Sequence, residues 1–416
     1  MPERFKAPRG TFDVLPEQEP VRRRIHSASR RALEAAGYGR IETPVFEDTD
    51  LFARGVGEST DIVQKQMFTF TDQGGRSLTL RPEATASICR AYLEHGMQKR
   101  AQPVKLWTDG PFFRHERPQA GRYRQFTQID AEAIGSDSPL VDAEMITLAS
   151  DILTELGVPG VRLLLGSLGT PATRSAYLDE LRDYLRSHES ELSEEVRDRI
   201  DANPLRAFDA DHEGTRKVMA DAPRLLDRLD PEDGAHFEQV REHLDRNGVA
   251  YELDPTLVRG LDYYTRTVFE FDCERLGAQS GIGGGGRYDG LIEQLGGQPT
   301  PGCGWALGVD RVALALDQQR EEGERAEPTR DGVFVVAGDD QRASALALVT
   351  ELRRGGVPAD LDLAGRATKG QMKQADRVGA QFALILSDDG RATLRDMTSG
   401  EEREIDPSRL AEELRS

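Results

Sequence analysis

The sequence predicts an antiparallel-rich α+β domain carrying a helical insertion, followed by a small C-terminal α/β domain. Three observations lead there. Through the first half, strand-like and helix-like runs mix without a regular βαβ repeat. A polar, charge-dense helical stretch then interrupts them. Regular alternation of strand and helix returns only beyond residue 330. With 416 residues the chain exceeds one ordinary core and fits two or three domains at roughly 150 residues each.

Taken in order, Glu17–Ala36 has helical periodicity and stops at Gly37. The Ile41–Phe46 run carries β-branched residues and reads as a strand interrupted by Pro44. Leu78–Arg81, Val104–Thr108 and Tyr123–Ile134 read as further strands, with a helix near Ala84–His95. A short apolar strand at Val161–Leu165 precedes the helical insertion, placed at about residues 171–250, and strand character returns at Val268–Phe271. Gln318–Arg330 has almost no apolar residue and reads as a linker, dividing the chain into residues 1–325 and 326–416. Beyond it Val333–Val336, Ala359–Leu363 and Phe382–Leu386 alternate as strands with helices at Gln341–Arg354 and Lys369–Gly379.

Composition bounds the function. Apolar residues make up 38% and glycines number 41, a folding composition rather than a disordered one. No stretch approaches the ~18 apolar residues of a membrane span, and the start Met1-Pro-Glu-Arg lacks a secretory apolar segment, so a cytoplasmic protein is expected. Cys89, Cys273 and Cys303 lie far apart with no CxxC pair, which favours buried thiols over disulfides or a zinc site. The net charge of −19 argues at first against a polyphosphate partner. Only seven lysines face 73 acidic residues, a balance that resembles proteins of salt-rich cytoplasm. At 1 M salt the Debye length is ~3 Å, so local basic stripes would outweigh the global sum.

Three constellations carry chemistry. In the first, Phe113–Phe126 reads as two strands joined by a Pro/Gly loop. Alternation along the second strand puts Arg122, Arg124, Phe126, Gln128, Asp130 and Glu132 on one face and Ile129, Ala131 and Ala133 on the other. That polar face is either a solvated sheet surface or a substrate floor. As a floor, Arg114 and Arg124 would supply donors for phosphate or carboxylate, Phe126 a stacking plane and Glu132 an acceptor. In the second, Gly302–Leu316 reads as a glycine-rich strand running into an apolar helix, with Arg311 in its first turn. The helix dipole opposes a cation there, so Arg311 is either a tolerated exposed arginine or half of an anion site. In the third, Leu257–Phe271 crowds Arg259, Asp262, Tyr263, Tyr264 and Arg266 ahead of a β-rich run; a surface turn with structural tyrosines is the plainer alternative.

Between them six of the ten residues in Gly281–Gly290 are glycine. GxGxxG occurs formally, but no evident strand feeds it and Arg-Tyr-Asp follows, so a dinucleotide fold is rejected. The glycines fit close backbone approach to a ligand, or positive φ in a tight loop. No Walker GxxxxGK[ST] or HExxH motif occurs.

The strand–loop–strand around Arg114 resembles motif 2, and Gly304–Leu314 motif 3, of class II aminoacyl-tRNA synthetases. Arg259-Gly-Leu-Asp-Tyr-Tyr264, Gly283–Leu291, Leu51–Phe70 and Leu80-Arg-Pro-Glu-Ala-Thr85 resemble signatures of the histidyl-tRNA synthetases, and the likeness runs over nearly the whole chain. The resemblance implies a class II catalytic domain at residues 1–325 and an anticodon-binding domain at 326–416. It implies activation of L-histidine with ATP and Mg2+ to histidyl-adenylate, then transfer to the 3′ end of tRNA(His).

On this resemblance Arg114 meets the α-phosphate, Arg311 the γ-phosphate and adenine, Phe126 stacks on adenine and Glu116 meets its amino group. Arg259 is a second cation on the α-phosphate. Glu83, Thr85 and Gln128 surround the α-amino group, Glu132 and Tyr264 bracket the imidazole, and Tyr263 lies close. The motif 2 loop with Arg117 and Gln119 contacts the acceptor end of the tRNA. Gly37–Phe46 resembles motif 1, which implies a homodimer. Two positions depart from the pattern: Ala84 stands where glycine is common and Gln66 where glutamate is common.

In the C-terminal domain the resemblance lies in Leu361–Arg366 and Lys369–Leu386. Lys369, Lys373 and Arg377 recur at i, i+4 and i+8 on one helical face, a tRNA-binding stripe or a solvated face. The rival from the same fold is a non-catalytic regulatory subunit of ATP phosphoribosyltransferase, which lacks the anticodon domain. A synthetase-like sensor of uncharged tRNA is a further rival; it sits beside a kinase, and no kinase sequence is present.

Overall fold

The structure, a computed structural model, describes residues 4–57, 60–322, 330–387, 391–406 and 410. It divides into two compact units, Met1–Glu322 and Gly323–Ser416.

The first unit is built on an eight-stranded sheet. Its spatial order is Gly39–Arg40, Val104–Phe113, Gln125–Ile134, Gly302–Gly308, Gly281–Arg287, Thr265–Cys273, Val161–Ser167 and Glu252–Leu253. The six central strands pair antiparallel, and only the two-residue strands at the edges pair parallel. One face is apolar and covered. Ile129, Ala131, Ala133, Trp305, Leu307, Phe269 and Phe271 pack against Ile25 and Leu33 of helix Glu19–Ala35, Met145 and Ile146 of helix Pro139–Leu156, and Val312 of helix Val309–Glu322. The alternation read from the sequence is therefore present: the same strand turns Phe126, Gln128 and Asp130 towards an open cavity on the other face.

The glycine run is where the structure differs most from expectation. Gly281–Arg287 is a central strand, not a tight loop, hydrogen-bonded to Thr265–Cys273 on one side and Gly302–Gly308 on the other. Its glycines answer to close neighbouring strands. A Cβ added at Gly285 would stand 2.0 Å from Gly304 O, and one at Gly283 would stand 2.4 Å from Leu307 Cδ2. No strand propensity marks such a run, because what recommends glycine here is the crowding of its neighbours rather than its own preference.

The expected Ile41–Phe46 strand is also split. Gly39–Arg40 pairs with Leu106 and Trp107, and Phe46–Asp48 pairs with Leu78–Leu80 in a separate three-stranded sheet. Pro44, lacking an N–H, lies in the gap. Arg81 bridges it: its guanidinium donates to Thr43 O at 3.1 Å and its backbone N to Val45 O at 2.9 Å.

The insertion is helical throughout, with helices Pro171–Ser187, Glu194–Arg199, Glu213–Ala220 and Pro231–Arg246. Each begins at a residue whose side chain accepts from the first turn: Thr170, Ser193, His212 and Asp230. Tyr177, Leu181, Leu185, Val196 and Met219 form its apolar centre. Helix Val309–Glu322 runs into the segment expected as a linker, the rest of which lies outside the described residues up to Arg330.

In the second unit the sheet order is Ala359–Leu361, Val333–Val336, Phe382–Leu386, Ala392–Asp396, Glu402–Ile405. Val333 and Val335 face helix Arg342–Arg354 through Ala345 and Val349, while Phe334 and Val336 face Ala375 of helix Thr368–Arg377. The last two strands were not expected; they are short, charged and antiparallel, without the apolar run that marks Val333–Val336. Among the described residues no helix is long and apolar enough to cross a membrane.

Candidate active site

The open face of the large sheet holds a cavity of about 480 Å³. Its floor is Phe126, Gln128 and Asp130 with Gly304, Trp305 and Ala306 of the neighbouring strand, and its far wall is Gly281–Gly284. Ten of the residues singled out in the sequence line it: Glu83, Thr85, Arg114, Glu116, Phe126, Gln128, Arg259, Tyr263, Tyr264 and Arg311. They come from five separate segments, brought together by the sheet order.

Four arginines line the cavity, Arg122 and the three singled out in the sequence. Arg114 follows strand Val104–Phe113; its Nε donates to Pro82 O at 2.9 Å and its guanidinium lies 5.3 Å from the Phe126 ring centre. Arg311, in the first turn of helix Val309–Glu322, donates to Gly121 O at 2.9 Å and also to Gly281 O. It thereby ties the hairpin loop to the glycine strand. Arg259 pairs with Glu270 and leaves its Nε buried without a partner. Glu116 pairs with Arg122 at the hairpin base. Arg117 and Gln119 are exposed in the loop between, which closes through backbone bonds between Gln119 and Arg122 at 3.1 and 2.9 Å.

Opposite lies an acidic and phenolic corner. The Glu83 carboxylate accepts from the backbone N of Thr85 at 2.7 Å and of Ala86 at 2.9 Å, at the start of helix Thr85–Glu94. That gives the first turn an acceptor where the dipole favours one. Tyr263 OH reaches Glu83 at 3.5 Å, and the Tyr263 and Tyr264 rings lie 4.7 Å apart. Tyr264 is held from behind by Arg174 of the insertion, which donates to its carbonyl at 2.7 Å.

Glu132 does not reach the cavity wall. Only 1% exposed, it sits one layer below, accepting from Thr85 Oγ1 at 2.6 Å and from Tyr288 OH at 2.5 Å. Burial pushes its carboxyl up to about 8, against the hydroxyls of Thr85 and Tyr288 that favour the charged form. Gly304 makes room for it: a Cβ there would meet Glu132 Oε2 at 1.7 Å. Tyr288 is the cavity residue that the sequence reading passed over. It stood in plain view in the Arg-Tyr-Asp that follows the glycine run.

Neither departure in sequence disturbs this frame. Ala84 is wholly buried, and Gln66 acts through its backbone carbonyl, which accepts from His115 N at 2.7 Å. Lys369, Lys373 and Arg377 lie exposed on helix Thr368–Arg377 of the second unit.

An antiparallel sheet with an arginine after strand Val104–Phe113, a second at the head of the helix behind its floor, and a polar cavity between them is consistent with the class II aminoacyl-tRNA synthetase fold. The family is narrower. The histidyl-tRNA synthetase family model matches residues 10–312 and the anticodon binding domain model residues 332–416. The histidine–tRNA ligase of Nocardia farcinica is 50% identical over 417 residues, covering 99% of this chain and 98% of its own. That of Halothermothrix orenii is 47% identical over 416 residues, covering 98% of each. The crystal structure of apo histidyl-tRNA synthetase from S. aureus superposes with a TM-score of 0.82 at 38% identity, covering 99% of this chain and all of that one. The chain belongs to the histidyl-tRNA synthetase family.

Proposed function

We infer that this chain is an ATP-dependent histidine–tRNA ligase whose cavity activates histidine between the three arginines and the acidic corner. The observation that carries the reading is the convergence on one cavity of Arg114, Arg259 and Arg311 with Glu83, Gln128, Tyr263 and Tyr264. Cations for a polyphosphate and acceptors for an ammonium then lie in one space.

Attack of the histidine carboxylate on the α-phosphorus of ATP builds negative charge, which Arg114 and Arg259 stabilise more in the transition state than before it. Arg311 holds the γ-phosphate end, Phe126 stacks on the adenine, and Glu116 accepts from its amino group. Glu83, Thr85 and Gln128 receive the α-ammonium. Tyr264 engages one imidazole nitrogen. Glu132 accepts from the other ring N–H as the hydroxyls of Thr85 and Tyr288 turn on histidine entry. Side chains of similar size without two nitrogens would leave these groups unpaired, which is costly when buried.

Magnesium arrives with the nucleotide. Bound to the nucleotide's phosphates it would neutralise their charge. Glu270, on the cavity wall beside Arg259, would be the residue to offer it a carboxylate. Residues 1–325 form the catalytic domain and 326–416 the anticodon-binding domain. Arg117 and Gln119 contact the acceptor end of tRNA(His), and Lys369, Lys373 and Arg377 contact the anticodon region. A homodimer forms through the Gly37–Phe46 region, in keeping with the exposed side chains of Val45, Phe46 and Phe70 beside it. The protein acts in the cytoplasm. A regulatory subunit without catalysis is disfavoured, since residues 332–416 match an anticodon domain and all three arginines are in place.

The test is isotope exchange between pyrophosphate and ATP. Histidine should stimulate it and a chelator of magnesium should abolish it. Absence of exchange with histidine at every salt concentration would overturn the reading.

A further inference from the structure

The turn that follows Tyr264 is irregular. Where strand Thr265–Cys273 begins, its ladder with Gly281–Arg287 slips: Val268 faces Gly286 and Thr265 faces Arg287, so Arg266 and Thr267 are skipped. Arg266 has a φ of 47°, the one positive value outside glycine among the described residues. Such a bulge re-aims the side chains beside it, and a costly backbone angle persists only where the surroundings hold it.

The helical insertion does the holding. Arg266 N donates to Gly169 O at 2.9 Å, and Leu168 N donates to Arg266 O at 2.7 Å, in the chain entering the insertion. The Arg266 guanidinium donates to Asp233 at 2.9 Å and to Glu232 at 2.6 Å, both at the start of helix Pro231–Arg246. The same Asp233 carboxylate accepts from Thr170 N at 2.7 Å and Thr173 Oγ1 at 2.6 Å, so the first and last insertion helices are tied together at this point. Arg174 completes the grip. From the first turn of helix Pro171–Ser187 it donates to Leu168 O at 3.1 Å, Gly169 O at 3.4 Å and, most closely, Tyr264 O at 2.7 Å.

Arg174 thus stands behind the cavity wall, while Tyr264 lines it. The Tyr264 ring has little freedom of its own. The Arg259 guanidinium lies 5.9 Å from its centre, and a Cβ added at Gly286 would stand 3.0 Å from its Cδ1. With the ring confined on those sides, the position of its backbone decides where the hydroxyl ends.

We propose that Arg174 is a positioning residue for amino-acid recognition: by fixing the Tyr264 carbonyl it aims the Tyr264 hydroxyl, so the insertion sets the fit of the cavity for an imidazole. This rests on the reading above that Tyr264 meets the imidazole, and deepens it by naming what holds Tyr264 in place.

The experiment is pyrophosphate exchange with the full chain, reading a KM for each substrate. Arg174→Met keeps the aliphatic stem and removes every donor. It should raise the KM for histidine about ten-fold, the range for a lost charged hydrogen bond, and leave that for ATP within about two-fold. Arg174→Lys, whose ammonium can still donate to the carbonyl, should restore most of the loss. The deciding comparison repeats Arg174→Met in a Tyr264→Phe background. There the second change should add little, because the contact that Arg174 serves is already gone. Should Arg174→Met fail to fold, Arg174→Gln carries the same cycle. Additive losses in the double variant, or equal rises in KM for histidine and ATP, overturn the inference. If Tyr264→Phe alone left the KM for histidine unchanged, the imidazole contact on which the inference rests would fall instead.

Discussion

Arg259→Ala is expected to slow histidyl-adenylate formation by about 10²- to 10³-fold, the cost of removing one preorganised donor from a developing charge. ATP binding should change far less, because Arg114, Arg311 and Phe126 remain. The expectation follows from where Arg259 stands. Its guanidinium pairs with Glu270 on the cavity wall, so it is held in place before substrate arrives. Lys373→Ala is the control: Lys373 is exposed on a helix of the second unit and should leave adenylate formation unaltered while weakening tRNA use. Rapid-quench measurement of adenylate separates the two, and equal losses would refute the division of labour.

Glu132→Gln is expected to raise the KM for histidine about ten- to hundred-fold. An amide keeps one acceptor oxygen where a carboxylate has two, and its NH2 end would oppose an imidazole N–H. The same substitution changes the response to pH. Burial lifts the Glu132 carboxyl from 4.5 to about 8, so the folded chain holds that proton more tightly than the unfolded chain does. Its stabilising contribution is complete below 4.5 and is lost as the pH rises through about 8. The unaltered protein should therefore lose stability relative to Glu132→Gln between about pH 5 and pH 8, and show no further divergence above that. Urea denaturation across this range checks it; parallel curves would mean that Glu132 keeps an ordinary carboxyl.

How much of this was legible in the sequence depends on whether a residue's role is local. The helix Glu19–Ala35, the capped helices of the insertion and the alternation Phe126, Gln128, Asp130 against Ile129, Ala131 all follow from periodicity along one segment. The glycine strand could not be read that way. Gly285 sits in a strand because Gly304 O and Trp305 leave no room for a Cβ, a fact that belongs to another segment. The arginines were visible as unusual residues in unusual company, and their convergence came from resemblance rather than spacing. Tyr288 was visible in the Arg-Tyr-Asp after the glycine run, but its role belongs to another segment, because its hydroxyl donates to Glu132.

The central claim is that the segment carrying Arg259 and Tyr264 joins amino-acid recognition to phosphate chemistry. The measurement that tests it most directly is a crystal structure with a non-hydrolysable histidyl-adenylate analogue, such as the sulfamoyl adenosine of histidine. The account predicts the sulfamoyl group between Arg114 and Arg259, and the imidazole within hydrogen-bonding distance of Tyr264 OH. An imidazole bound away from Tyr264, or a sulfamoyl group out of reach of Arg259, would contradict it.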